Sequence, residues 1–279
     1  MSEEKNRKGT FALVTGASSG IGYELAKKFA ENGHDILIVA EDQRIYSVAS
    51  EIQSQYNVQV EALQLDLIRP ESSKQLYNRV QETGRQLDYL ALNAGVGVGG
   101  PFLETDFERE VAMIHLNVVA NVLLTKLFLK DMVDRDSGAI LFTSSVVSIM
   151  PAPFQAVYGG TKAFLRSFIS AIRSELKDSN VTLTALMPNA TETEFFERAD
   201  LMDTEVGQAQ KDDPAVVAKQ GYEGLMSGDK NVMGGSLKSR MQGQMARILP
   251  KDVTADMGRK MAEPGSAQKH DHDPKHAHH

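Results

Sequence analysis

The sequence predicts an α/β fold built on a doubly wound parallel sheet of six to seven strands, with helices on both faces. Three observations predict it. Short apolar runs alternate with segments of helical periodicity through most of the 279 residues, the pattern of a parallel sheet with crossover helices. The runs are rich in Val, Ile and Leu and mostly do not alternate with polar residues, as strands buried on both faces require. A glycine-rich turn joins the first run to the first helical pattern. At this length, one large α/β domain with short additions is expected.

Taken in order, residues 10–15 (TFALVT), 35–40 (DILIVA), 58–65, 87–93, 139–144 and 181–187 read as strands. Helical patterns fill 20–32, 43–56, 71–84, 105–133 and 157–177. The alternation weakens after about 190. Residues 213–226 read as a helix with Pro214 in its first turn, and 231–233 as at most a very short strand. In 236–262, Leu237, Met241, Met245, Ile248 and Leu249 recur at helical spacing, followed by Val253, Met257 and Met261 beyond Pro250. Lys238, Arg240, Arg247, Lys251, Arg259 and Lys260 are interleaved with them. A helix packed on the body is the commoner outcome for such a stretch. An amphipathic lid, a dimer contact and a membrane-surface helix remain open. Beyond 262, Pro, Gly and five of the seven His residues leave little to pack, so a disordered tail is expected. The expected boundaries are an extension at 1–8, the main domain at 9–235, the helical extension at 236–262 and the tail at 263–279.

Composition narrows the function classes. The chain has no Cys, so disulfides, thiolate metal sites and a cysteine nucleophile are excluded. A net charge of −7 argues against a general nucleic-acid partner. No 18 consecutive residues are apolar and the first ten are polar and charged, so no membrane span or leader is expected and a cytoplasmic location is. The terminal KHDHDPKHAHH is read as a solvated tail, with no metal assigned.

The turn Gly16-Ala17-Ser18-Ser19-Gly20-Ile21-Gly22 follows the first strand and opens the first helix. Glycine is needed there if the backbone is to turn tightly and approach a pyrophosphate held at the helix N-terminus. Nineteen residues on, Glu41 and Asp42 end the second strand. An acidic group at that distance binds ribose hydroxyls, whereas a 2′-phosphate wants a cation, so NAD is favoured over NADP. Arg44 stands close enough to weaken that inference. Glu41 and Asp42 would equally suit the start of the next helix.

Tyr158 and Lys162 share one face of the helix after the fifth strand, four residues apart. The pattern alone selects little, for Tyr23 and Lys27 repeat it in the first helix. Position separates the two pairs. Tyr158 follows Ser145 by 13 residues, and Ser145 ends a strand at the edge where open α/β sheets bind ligands. Tyr23 has no such neighbour and is read as surface.

Taken together, the glycine turn, Asp66 after the third strand, Asn93-Ala94-Gly95 after the fourth, Asn117 in the fourth helix, Ser145, and Tyr158 with Lys162 resemble the short-chain dehydrogenases/reductases of the shorter single-domain type, over roughly 9–235. Leu92 stands where that family carries a further Asn. The resemblance implies a Rossmann-type fold and hydride transfer between a nicotinamide and a secondary alcohol or ketone. Tyr158 is then the general acid/base, Lys162 lowers its pKa and binds the ribose, Ser145 orients the substrate oxygen, and Asn117 positions a relay water. The resemblance puts Gly16, Ser18, Ser19, Gly20, Ile21 and Gly22 on the cofactor phosphates, and Glu41 on its ribose. Asp66 and Leu67 go to its adenine, as do Asn93, Ala94 and Gly95. Pro188, Thr191 and Thr193 go to the nicotinamide end, with Asn189 replacing a family glycine. It also implies a homodimer or homotetramer paired through helices 105–133 and 157–177.

Substrate contacts are expected from Val96, Met150, Phe154 and Phe195, in segments that hold no Arg or Lys. Phe195 and Phe196 would equally serve as core anchors. An apolar or neutral substrate follows, because an anion would need a cationic partner. A non-catalytic dinucleotide-binding sensor or scaffold is the competing class, and it predicts binding without turnover.

Overall fold

The computed structural model describes residues 9–246 and 248–269. Part of the expected tail, the N-terminal extension and Arg247 lie outside the described residues. Seven strands form one sheet: β1 (Phe11–Thr15), β2 (Asp35–Ala40), β3 (Val60–Gln64), β4 (Tyr89–Leu92), β5 (Ala139–Thr143), β6 (Thr182–Pro188) and β7 (Asn231–Gly234). Their order is β3-β2-β1-β4-β5-β6-β7 and every pairing is parallel. The chain reverses its winding between β1 and β4. A crevice must open there at the carboxyl ends, because the helices leave the two strands toward opposite faces.

The pleat sorts the core. In β1, Phe11 and Leu13 point to one face of the sheet, Ala12 and Val14 to the other. The first face is covered by α3 (Ser72–Glu82), the long helix α4 (Phe107–Ile114) to α5 (Asn121–Asp134), and α6 (Ala156–Glu175). The second is covered by α1 (Gly20–Glu31), α2 (Ile45–Gln55) and, after the single turns α7 (Phe195–Arg198) and α8 (Glu205–Gln208), by α9 (Pro214–Ser227). Residues 107–134 are long and apolar enough to cross a membrane. Met113, Leu116, Leu124, Phe128 and Met132 are nonetheless buried in the protein core, the ordinary state of a core helix.

Between α4 and α5, residues His115–Ala120 are π-helical. A wide turn leaves carbonyls without their usual partner, and Asn121 Nδ2 takes up those of Leu116 and Asn117, each at 3.1 Å. Asp213 caps α9 through the Ala215 N–H, with Pro214 at its first position.

The 236–262 stretch is two helices, not one: α10 (Leu237–Ala246) and α11 (Lys251–Ala262), broken at Pro250. The chain also stays on the body beyond 263, where the tail was expected to begin. Ser266 is buried and accepts a hydrogen bond from the Glu205 N–H at 2.8 Å. A last helical turn, α12 (Ser266–Lys269), follows the reversal at Gly265.

Candidate active site

One cleft runs along the carboxyl ends of the strands. Its floor begins at the glycine turn. Gly16 takes φ +67° and donates to the Val39 carbonyl at 2.7 Å, and a Cβ there would lie 2.8 Å from Ala94 Cα. A Cβ on Gly22 would lie 2.0 Å from the Gly16 carbonyl oxygen, so the turn closes only without side chains. No side chain caps α1 and no acidic residue stands in its first turn. Its leading N–H groups are therefore available to an anion. The opposite wall is the segment after β6, where Thr193 Cγ2 would meet a Cβ on Gly20 at 2.8 Å. A backbone cradle against a helix N-terminus, faced by a second loop, fits a dinucleotide pyrophosphate.

Gly16, Ser18, Ser19, Gly20 and Ile21 line the cleft, as do Glu41, Asp66, Leu67, Asn93, Ala94 and Gly95, and Pro188, Thr191 and Thr193. Gly22 does not; it is buried in the helix and serves the turn. Asn93 also ties the floor together. Its Nδ2 donates to the Thr15 and Gly16 carbonyls, and its Oδ1 accepts from Thr143 Oγ1. Asn189 keeps a negative φ, so the replacement of a family glycine needs no left-handed backbone.

At the β2 end the structure adds cations that the sequence left apart. Arg44 donates to both carboxylate oxygens of Glu194, at 2.6 and 2.9 Å, and to Asp42 at 2.6 Å. Arg198, which lines the cleft, bonds Glu194 at 2.7 Å and stands 3.7 Å from Glu41. Hydrogen bonds from Arg44 hold the Asp42 and Glu194 carboxyls below the usual carboxylate range. Arg198 escaped the sequence reading although it lies three residues past Phe195, one helical turn on.

Ser145, Tyr158 and Lys162 meet over the end of β5. Tyr158 and Lys162 are buried and both line the cleft. Lys162 Nζ donates to the Thr143 carbonyl at 2.9 Å and lies 5.7 Å from the centre of the Tyr158 ring. Ser145 opens a short 3₁₀ turn (Val146–Ile149) by accepting from the Val147 N–H, and it hydrogen bonds the Tyr158 phenol. Burial pushes the phenol up to about 12, with the Ser145 bond acting the other way. Burial also lowers the Lys162 ammonium to about 8. Among the protein's own groups desolvation dominates, so the phenol stands above its ordinary value in place of the net lowering expected from Lys162. The Tyr23–Lys27 pair has no part in the cleft. Tyr23 donates to Glu51 on α2, and Lys27 sits over its ring and pairs with Glu24.

Asn117 is fully buried. Its Oδ1 accepts from the Val96 N–H, and its Nδ2 donates to the Val96 carbonyl and to Thr161 Oγ1. The side-chain amide thus pins the loop after β4 to α6. A Cβ on Gly95 would lie 3.1 Å from Asn117 Oδ1 and 3.3 Å from Lys162 Nζ.

Of the expected substrate residues, Val96 and Phe195 line the cleft. The Phe195 ring lies 5.1 Å from that of Tyr158, and Gly97 leaves room for it. Met150 and Phe154 do not line the cleft. Phe154, at φ +62°, accepts from the Gly100 N–H, and its ring carries the Arg259 guanidinium of α11. Gly97, Val147, Gln155 and Val206 line it instead. Val206 comes from a distant segment, so the linear sequence held no signal for it.

The model of the short chain dehydrogenase family matches residues 10–203. A very-long-chain 3-oxoacyl-CoA reductase of Vanderwaltozyma polyspora is 30% identical over 194 residues, covering 65% of this chain and 55% of that protein. The chain thus spans about half the length of such relatives. A short-chain dehydrogenase from Sphingobium yanoikuyae, solved in complex with NADPH, is 31% identical with a TM-score of 0.76, covering 86% of this chain and 96% of that one. A Burkholderia phymatum short chain dehydrogenase/reductase in complex with NAD shares the fold at 18% identity, with a TM-score of 0.79 over 92% of this chain and 98% of that one.

Proposed function

This chain belongs to the short chain dehydrogenase family, and we propose that it reduces an apolar ketone to a secondary alcohol with Tyr158 as the proton donor. The carrying observation is the convergence of Ser145, Tyr158 and Lys162 in the cleft that the glycine turn opens. A nicotinamide dinucleotide, when bound, supplies or accepts the hydride. The chain's own residues do the rest. Ser145 Oγ holds the substrate oxygen beside the phenol. A phenol kept protonated by burial, at about 12, can donate a proton to the carbonyl oxygen at neutral pH. Lys162, positive below about 8, holds the ribose and steadies the phenolate left after donation. Asn117 acts as a positioning residue through Val96 and Thr161.

The cleft wall at the reacting end is apolar. Val96, Val147 and Phe195 line it around Tyr158, with Val98 and Met113 packed behind them. That lining suits an acyl chain next to the ketone, as the name of the Vanderwaltozyma relative suggests, and a 3-oxoacyl thioester is the substrate class to try first. At the ribose end Glu41 argues for NAD. Arg44 is committed to Asp42 and Glu194, and Arg198 to Glu194, so three acids against two bases remain to repel a 2′-phosphate. Pairing between copies is proposed through α4–α5 and α6, where Ile114, Val119, Val133 and Phe164 are exposed.

The test is consumption of NADH and NADPH against apolar ketones, 3-oxoacyl thioesters and phosphorylated sugars, with Tyr158→Phe as control. Turnover of the apolar carbonyls, lost in the variant, is expected. Dinucleotide binding without turnover of any carbonyl would make the protein a sensor or scaffold. A preference for phosphorylated sugars would overturn the apolar assignment.

A further inference from the structure

Past the sheet, the chain turns apolar side chains outward. α10 seats on the body through Gly243, which is buried; a Cβ there would meet Met233 Cε at 2.1 Å. Leu237, Met241 and Met245 recur every fourth residue on the other side and are 73%, 58% and 56% exposed. A helix on a globular body ordinarily buries such a stripe. Here the orientation is reversed. α11 repeats it: Thr254 and Ala262 are buried and Gly258 lies against Pro151 and Pro153, while Val253, Met257 and Met261 stay exposed. Ile248, between the two helices, is also exposed. Each helix thus turns an apolar stripe outward, and exposed apolar surface of this kind marks an interaction site.

Charge says which kind. Lys238, Arg240, Lys251, Arg259 and Lys260 stand against only Asp252 and Asp256 on these helices, an excess of three positive charges in a chain whose net charge is −7. Lys238 and Arg240 sit beside Leu237 and Met241, where long stems lie along apolar surface and carry their charge to its edge. Two copies pairing through this face by a twofold axis would set the same cations against each other. Anionic headgroups would neutralise them.

We propose that α10 and α11 form a docking surface for an anionic lipid membrane, with the methionine and leucine stripes among the acyl chains and the basic side chains among the headgroups. The surface reaches the cleft. Arg259 lies over Phe154, Phe154 accepts from the Gly100 N–H, and the exposed Phe102 and Leu103 follow Gly100 on the loop whose start, Val96 and Gly97, lines the cleft. The surface stands on these observations whatever the cleft turns over.

Flotation of the full chain with vesicles tests it. The protein is expected to float with phosphatidylcholine–phosphatidylserine vesicles, weakly with phosphatidylcholine alone, and less in high salt. A basic group near an anionic surface contributes about 1 kcal/mol, so Lys238→Glu with Arg240→Glu is expected to weaken binding to the anionic vesicles by about thirtyfold or more. Met241→Glu with Met245→Glu is expected to abolish it while NADH binding, the check on folding, is unchanged. Failure to float with phosphatidylserine vesicles, or flotation indifferent to the methionine variants, overturns the proposal. So does a dimer in sedimentation velocity that those variants dissociate, which would assign the surface to a second copy.

Discussion

At the scale of single residues, a buried lysine and a buried phenol meet in the cleft. Lys162 is a cation below about pH 8 and neutral above, because burial disfavours its charged form. Its folded pKa lies below the ordinary 10.5, so between about pH 8 and 10 the unfolded chain holds a proton that the native chain has released. Stability contributed by this group therefore rises with pH across that window, which urea midpoints at pH 8 and 9.5 would report. Activity runs the other way. Profiles of kcat/KM for ketone reduction are expected to fall as pH rises through about 8, when the ribose and the phenolate lose their cation. Tyr158→Phe should lower kcat by roughly 10²- to 10⁴-fold, the usual span for a general acid, with the dissociation constant for NADH little changed. At the ribose end, Glu41→Gln removes one acid beside Arg198. Because the group is exposed, a gain of only about fivefold in NADPH affinity relative to NADH is expected, read by fluorescence titration of each dinucleotide.

At the scale of elements, the π-helical turn and the loop after β4 carry the site. Asn117 reaches Val96 and Thr161 because the wide turn at 115–120 rotates it off the helix face that a regular α-helix would give it. Asn117→Ala would leave the half-buried Val96 N–H and carbonyl without that amide, at a cost of about 1 kcal/mol. Urea unfolding reads that cost, and kcat should fall more than NADH binding because Val96 walls the reacting end. Gly95 belongs to the same construction. Gly95→Ala places a methyl between Asn117 Oδ1 and Lys162 Nζ, where 3.1 and 3.3 Å are too close for a Cβ without movement. Its expected effect is a lower kcat, measured beside an unchanged far-ultraviolet circular dichroism spectrum.

The whole molecule adds two surfaces that its core does not use. Phe164 is exposed on α6 and stacks on Phe168, and Val119 and Val133 of the long helix are exposed as well. If copies pair there, Phe164→Glu should shift the sedimentation coefficient to that of the monomer, because a buried carboxylate without a partner opposes association. The C-terminal helices expose the second surface, on the part of the chain whose seat against Pro151 and Pro153 follows the break at Pro250.

The doubly wound parallel sheet, and the residues proposed to react, were legible in the sequence alone. Strand length, apolar composition and the glycine turn depend on local backbone geometry and on burial from both faces, and both leave periodic traces. The position of Ser145 ahead of Tyr158 separated the Tyr–Lys pair that lines the cleft from its copy at Tyr23 and Lys27, because a strand's carboxyl edge is readable from the order of elements. Only the tertiary structure decided what desolvation does to Tyr158 and Lys162, for a pKa depends on everything packed around a group and the sequence shows only its neighbours along the chain. The same holds for Arg198 beside Glu41, for Asn117 bonded to Val96, and for Phe154 drawn off under Arg259. The outward stripe of α10 was equally hidden: spacing shows that Leu237, Met241 and Met245 share a face, but Gly243 against Met233 is what turns that face to the solvent.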